Sequence, residues 1–239
     1  MALYKIQFQS SITYDSYGNP LGTPILLLED IFQKKNKYSD FLATSPNKSF
    51  HVYHIKRLDL NNIDSSEYSI LNSAIRSLED IILSFPSKAI LIAEGHSAAL
   101  SLQLSYNVSN KIFSSYIINP ELNYIENEDE NYFKEFWDWF SKRDDFVSLL
   151  PKTPFIFDFY VKHKKFTKLI SSQEQPGNIH FLFTNPPPFY KIDKIRQIST
   201  KPLISILDPR EETSLFNTQS FQKLLLWFVE KDNLQILKE

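Results

Sequence analysis

The fold is decided by residues 90–100, Ile90-Leu91-Ile92-Ala93-Glu94-Gly95-His96-Ser97-Ala98-Ala99-Leu100. Residues 88–93 form a continuous apolar run apart from Lys88, which is typical of a strand buried on both faces of a sheet. Residues 98–106 have the composition of a helix. The stretch therefore predicts a buried strand, a sharp turn and the start of a helix, with Ser97 in the turn.

The same alternation of strands and helices continues on both sides of this stretch. It predicts an α/β fold with a mostly parallel central sheet and helices on both faces, formed by residues 1–239 as a single domain. A turn is expected over 15–20, where Gly18, Asn19 and Pro20 occur together. The remaining strands are expected at 4–14, 25–28, 50–55, 113–118, 179–183 and 203–207, and the remaining helices at 38–43, 68–84, 191–198 and 220–230.

Residues 121–176 interrupt this alternation and predict a helix-rich segment inserted between two strands. The segment opens with acidic residues, continues with an aromatic stretch over 132–140 and ends with a basic stretch over 162–168. The aromatic stretch is expected to pack this segment onto the body, or else to line a ligand pocket. The basic stretch is interpreted as a solvated helix face, with docking of an anionic ligand or an acidic carrier protein as the alternative.

Composition excludes several classes of function. The chain has 239 residues and a formal net charge of -2, whereas a nucleic-acid-binding protein usually carries a basic surplus. It has no cysteine, so no disulfide or thiolate metal site can form. We find no phosphate loop, dinucleotide fingerprint or metal-ligand spacing, and therefore predict neither a cofactor nor a metal. The apolar runs are too short to span a bilayer, and the N-terminus lacks the pattern of a signal peptide, so a cytoplasmic protein is expected.

Ser97 is the residue of the turn that bears on chemistry. Gly95 and Ala99, two positions before and after it, are small enough for a tight turn that presents a serine on a strained backbone. The serine would also stand at a helix N-terminus, where backbone N–H groups stabilise a developing anion. The alternative is that Ser97 is merely the N-cap of the helix.

This strand, turn and helix resemble the nucleophile elbow of the α/β-hydrolase superfamily, and the likeness extends over roughly residues 4–230. The sequence Gly95-His96-Ser97 is similar to that of esterases and thioesterases in this superfamily. The resemblance implies that Ser97 is the nucleophile and that residues 121–176 are a helical cap or lid. It further implies that the substrate is a small acyl ester or thioester, so that a pocket lined by the aromatic stretch would be an acyl pocket. It also implies an oxyanion hole formed by the N–H groups of Ala98 and of the loop around Asp30.

The other expected catalytic residues do not stand in their usual places. The superfamily has its histidine after the last strand, but residues 208–214 contain none. A serine needs a base within hydrogen-bond reach, and His163 in the cap is the best substitute. Glu121 and Asp208 are the candidate acids.

Carboxylates also occupy the oxyanion loop. Glu29-Asp30 stands where the superfamily usually has His-Gly. Three hypotheses therefore stay open: a serine acyl hydrolase or acyltransferase with a rebuilt centre, a catalytically silent binding or accessory module of the same fold, and an unrelated α/β binding domain.

Overall fold

A computed structural model describes residues 12–30, 49–58, 69–122, 132–142, 147, 150, 153–171, 178–184, 192–193, 195–196, 203–206 and 219–236. The strands are β1 (Ile12–Gly18), β2 (Thr23–Leu28), β3 (Phe50–Leu58), β4 (Ala89–Glu94), β5 (Ile112–Ile118), β6 (Asn178–Phe183) and β7 (Leu203–Ile206). The longer helices are α1 (Ser69–Leu83), α2 (Ala98–Asn107), α3 (Tyr132–Phe140), α4 (Thr153–Ser171) and α5 (Gln219–Ile236).

The seven strands form one sheet in the order β1-β3-β2-β4-β5-β6-β7. β1 is antiparallel to β3, and the other neighbouring strands are parallel. Every residue of β2 and of β4 is buried, as expected for central strands covered on both faces. Because these strands are parallel, the segments that follow β2, β4 and β5 meet at one edge of the sheet, which we call the carboxyl edge.

Apolar side chains alternate between two cores, one on each face of the sheet. Leu26, Leu28 and Leu91 pack with residues of α1 and α2 on one face. Ile25 and Ile90 pack with residues of α5 on the other. This two-sided burial is the main stabilising contribution that the sequence pattern predicts.

Polar contacts attach α5 to two strands of the sheet, β2 and β5. The hydroxyl groups of Ser114 and Tyr116 on β5 both donate to the carboxylate of Asp232, with a Tyr116 distance of 2.6 Å. The hydroxyl of Thr23 donates to the side-chain carbonyl of Asn233. All five side chains are buried, so these hydrogen bonds fix α5 in one position along the strands.

Asn119 connects the carboxyl ends of β5 and β6. Its backbone has a positive φ of 44°, which asparagine tolerates better than most residues. Its side-chain Oδ1 accepts from the Thr184 N–H at 3.0 Å, and its Nδ2 donates to the Thr184 hydroxyl at 2.8 Å. Asn119 thus joins two neighbouring strand ends.

The predicted α/β architecture is confirmed, with several differences in the bounds of its elements. The predicted turn over 15–20 is wrong for Asp15 to Gly18, which belong to β1, and the turn lies at 19–22. β3 and α5 extend beyond the predicted ranges 50–55 and 220–230. The predicted helix at 38–43 and the strand residues 4–11 lie outside the described residues. Two helices, α3 and α4, lie within the inserted segment, and whether they act as a cap stays a prediction.

Candidate active site

The turn that carries Ser97 lies at the carboxyl edge of the sheet, between the central strand β4 and helix α2. Residues Gly95–Ser97 form one turn of 3-10 helix that leads directly into α2. The positive φ falls on Gly95, at +55°, whereas Ser97 has an ordinary helical conformation with φ -69° and ψ -9°. The expectation that Ser97 has a strained backbone is therefore wrong, because the turn is made two residues earlier, where glycine adopts a positive φ at little cost.

The Ser97 hydroxyl is directed inward. The side chain is fully buried, and its hydroxyl donates to the backbone carbonyl of Glu29 in the loop after β2. Ser97 occupies the N-cap position of α2 but makes no capping hydrogen bond. Ser97 therefore stands at the N-cap position, as the alternative reading expects, but its side chain does not cap the helix.

The two predicted oxyanion donors have other contacts. The Ala98 N–H donates to the carbonyl of Gly95, as the 3-10 turn requires. That carbonyl also accepts the Glu121 N–H at 3.0 Å. The loop around Asp30 meets Ser97 through a carbonyl acceptor, the oxygen of Glu29, and not through an N–H donor. The expectation that the Ala98 N–H is available to an oxyanion is wrong in this conformation.

Asp30 pairs with His96, a contact that sequence reasoning did not find. Its Oδ2 lies 3.1 Å from Nδ1 of His96 and 3.4 Å from the His96 backbone nitrogen. Both side chains are buried. A Cβ atom on Gly95 would lie 2.1 Å from Oδ2 of Asp30, so only glycine leaves space for this carboxylate. The register Leu28 with Ala93 between β2 and β4 brings the loop after β2 next to the turn.

Glu29 is directed toward the opposite face of the sheet, where it meets His54 of β3. Its Oε1 lies 3.1 Å from Nε2 of His54, which is fully buried. This separation is within ion-pair range, although the two groups are not aligned as a hydrogen bond. The carboxylates of Glu29 and Asp30 thus each lie beside a histidine, His54 and His96 respectively.

His163, the predicted base, does lie against the turn. It is on α4 and almost completely buried, and its Nε2 is 2.8 Å from the backbone carbonyl of His96. Because a carbonyl only accepts, Nε2 carries the proton in this contact. Burial, and to a smaller extent the neighbouring His96, lower the pKa of His163 to about 3. The described hydrogen bond therefore joins His163 to His96 and not to the hydroxyl of Ser97.

The remaining predicted site residues are placed as follows. Glu121 follows β5 and is held beside the turn by its backbone N–H. Ala98 and Ala99 are completely buried at the start of α2, as a tight turn packed on a sheet requires. Asp208 lies outside the described residues. Within the part of the chain that the structure describes, no group of three or more His, Asp or Glu side chains is arranged to hold a metal ion.

An aromatic cluster joins α3 to α4. Phe136, Phe140 and Tyr160 are buried and form its centre. The Trp139 ring lies with its centroid 5.4 Å from that of Tyr160 and 5.6 Å from that of His96. The cluster therefore extends to the turn through Trp139, in agreement with the expectation that the aromatic stretch packs against the body.

The basic stretch of α4 is partly neutralised within the protein. Lys162 forms an ion pair with Asp158 at 2.7 Å. Lys164 is buried, with its Nζ 3.8 Å from Glu135 and 5.2 Å from the centre of the Tyr160 ring. These contacts leave less positive charge for an acidic carrier protein than the sequence suggests, and carrier docking stays a prediction.

Comparison with known proteins gives a match at the level of structure only. No protein-family model matches the chain, and no curated protein matches it. An α/β superfamily hydrolase from Oenococcus oeni PSU-1 is similar over 100% of both chains, with a TM-score of 0.61 and 18% identity. The chain has the α/β-hydrolase fold.

Two further solved structures match at similar levels. The thioesterase domain from the curacin biosynthetic pathway has a TM-score of 0.64 and 10% identity, over 96% of this chain and 99% of that one. An α/β-hydrolase enzyme from the metagenome of lagoon sediments at Mar Chica, Morocco, has a TM-score of 0.61 and 17% identity, over 97% and 100% of the two chains. The α/β-hydrolase fold inferred from residues 90–100 is confirmed.

No helix in the described part of the chain is both long enough and apolar enough to cross a membrane.

Proposed function

We propose that this protein is a catalytically silent member of the α/β-hydrolase fold that acts as a binding or accessory module. The observation that carries the proposal is the state of Ser97, whose hydroxyl is buried and donates to the Glu29 carbonyl. A serine acts as a nucleophile only when a base can take its proton and its oxygen can reach the substrate. The described contacts supply neither condition.

The contacts of the residues predicted to form the oxyanion hole support the same proposal. Hydrolysis of an ester needs N–H donors directed at the developing negative charge. Here the Ala98 N–H is used within the turn, and the loop after β2 presents the carbonyl of Glu29 to the serine. A carbonyl oxygen at this place would repel an oxyanion.

The ligand class that we propose is a small acyl ester or thioester, bound at the carboxyl edge near Trp139. Structural neighbours described as a thioesterase domain and as α/β-hydrolase enzymes support this class, as does the aromatic cluster that reaches the turn. A short-chain acyl thioester should raise the melting temperature in a concentration-dependent way without being consumed. Turnover of the thioester, or no shift over a wide concentration range, would contradict this part of the proposal.

A fluorophosphonate probe tests directly whether Ser97 reacts as a nucleophile. We expect no labelling of the wild-type protein, with Ser97→Ala indistinguishable from it. Ser101→Ala is a matched control, because Ser101 is a second fully buried serine on α2 and its hydroxyl has no hydrogen-bond partner among the described residues. Labelling that is lost in Ser97→Ala but kept in Ser101→Ala would contradict the proposal that the protein is catalytically silent.

A serine acyl hydrolase is the second candidate, and one contact favours it. His163 of α4 reaches the carbonyl of His96, the residue next to Ser97. As a base, His163 would have to exchange this carbonyl for the Ser97 hydroxyl, and Glu121, whose backbone N–H contacts the turn, is the candidate acid. If the probe does label Ser97, His163→Ala should abolish the labelling, and unchanged labelling would exclude His163 as the base.

A further inference from the structure

Two consecutive residues of one loop hold two consecutive residues of the turn. Glu29 accepts the Ser97 hydroxyl through its backbone carbonyl, and Asp30 contacts both the backbone nitrogen and Nδ1 of His96 through its carboxylate. We call these two contacts the elbow latch. Both involve groups with little or no exposure to solvent, where hydrogen bonds to a charged group are stronger than at the surface.

Gly95 is the residue of the turn whose backbone can change conformation at the lowest cost. Gly95 has a positive φ, and glycine crosses readily between regions that other residues avoid. Ser97, by contrast, is relaxed in its present helical conformation. Turning its hydroxyl outward would move backbone strain onto the serine, as in a nucleophile elbow. The inward state is thus favoured by a relaxed serine and by the elbow latch.

We propose that the elbow latch holds Ser97 inward, and that release of Asp30 from His96 allows the turn to present Ser97 outward to a bound ligand. This deepens the proposed function and rests on it, because the outward serine would contact the ligand of a binding module without catalysing its hydrolysis. A ligand that contacts the outward serine would shift the equilibrium in proportion to its preference for that state. The retained serine and the small residues on either side of it then have a use that a permanently closed turn does not give them.

Cysteine scanning tests the elbow latch without requiring any catalysis. The natural chain has no cysteine, so Ser97→Cys introduces a single thiol at the position in question. Its reaction with N-ethylmaleimide, followed by mass spectrometry, reports how often residue 97 is exposed. We expect the folded Ser97→Cys protein to react at least roughly a hundredfold more slowly than the same protein in urea.

Removing the Asp30 carboxylate should release the turn. In the Ser97→Cys background, Asp30→Asn and Asp30→Ala should each raise the reaction rate by roughly tenfold or more, because a charged hydrogen bond is lost. Glu135→Gln in the same background is the matched control, since it removes a carboxylate of α3 that is half exposed, and it should leave the rate unchanged. Circular dichroism and the urea midpoint of each variant establish that it is folded.

The outcomes separate the elbow latch from the proposed function. If Ser97→Cys reacts slowly and neither Asp30 variant changes its rate, the elbow latch is overturned while the silent serine stands. If Ser97→Cys itself reacts as fast as the unfolded protein, residue 97 is not sequestered, and both proposals fail. A rate increase confined to the Asp30 variants supports the elbow latch.

Discussion

Gly95 is the residue on which the geometry of the site depends. Four glycines remain in the chain, and this one combines a positive φ with the closest approach of a carboxylate. A side chain here would strain the backbone and would also collide with Asp30. The residue therefore determines both the path of the turn and the pairing of Asp30 with His96.

Gly95→Ala should lower the free energy of unfolding by about 2 kcal/mol or more, as the sum of backbone strain and a steric clash. Chemical denaturation measures this loss. The matched background is Asp30→Ala, in which the clash is absent and Gly95→Ala should cost only about 1 kcal/mol of backbone strain. Equal costs in the two backgrounds would show that Asp30 does not approach Gly95 as described.

Asn119 offers a second test at the scale of a single residue. Asn119→Ala loses both contacts with Thr184 and places alanine at a positive φ, so we expect a loss of about 2 kcal/mol in denaturation measurements. Asn119→Gly loses the same contacts, but glycine adopts the positive φ without strain. Its loss in the free energy of unfolding should therefore be about 1 kcal/mol smaller than that of the alanine variant. If the two variants are equally stable, the positive φ is not present in solution.

Helix α5 is held by buried polar groups in addition to its apolar face. Tyr116→Phe removes the donor that lies 2.6 Å from the Asp232 carboxylate. Because a buried hydrogen bond to a charged acceptor is lost, the free energy of unfolding should fall by about 1.5–3 kcal/mol. Tyr106→Phe, on the half-exposed side of α2, is the control and should change stability by less than about 0.5 kcal/mol. Similar values for both variants would mean that the Asp232 contact does not stabilise α5.

The elements were predictable from the sequence to a greater extent than the contacts between them. Residues 88–93 show the apolar run of a central strand, and β4 lies at Ala89–Glu94. Sequence periodicity also identified α1 because its buried residues recur at helical spacing. The prediction of a turn at 15–18 is wrong because these residues belong to β1 and pair with β3, with Asp15 opposite His54 and Gly18 opposite His51, so strand pairing overrides the local turn preference.

The contacts of the site were not predictable in the same way. His163 was chosen by elimination among five histidines, and it does reach the turn, but at the His96 carbonyl. The pairing of Asp30 with His96 spans 66 residues and depends on the register of β2 against β4. No local pattern in the sequence predicts how β2 aligns with β4. The direction of the Ser97 hydroxyl likewise depends on the Glu29 carbonyl, 68 residues away, which the motif alone does not contain.

At the scale of the whole molecule, His163 makes stability depend on pH. Its pKa is lowered to about 3 in the folded protein and has its ordinary value of 6.5 when exposed. Between these values the unfolded chain binds a proton that the folded protein does not, so stability is complete above 6.5 and decreases as the pH falls toward 3.

His163→Gln should remove this contribution while keeping an N–H donor for the His96 carbonyl. Between pH 7 and pH 5, the wild-type protein should lose about 1–2 kcal/mol more of its free energy of unfolding than the variant loses. Urea denaturation at the two pH values measures both losses. Parallel losses in the two proteins would mean that His163 is accessible to protons in the folded state.

The contacts of α5 also affect the order in which the chain can fold during synthesis. Thr23, at the start of β2, is joined to Asn233, which lies 210 residues later. Asp232 likewise completes the hydrogen bonds of Ser114 and Tyr116 in the middle of the sheet. The nascent protein must therefore hold its central strands without their final cover until α5 has left the ribosome. Until then, the face of β2 and β4 that carries Ile25 and Ile90 lacks the apolar side chains of α5, so the last stretch of the chain to be synthesised completes this core.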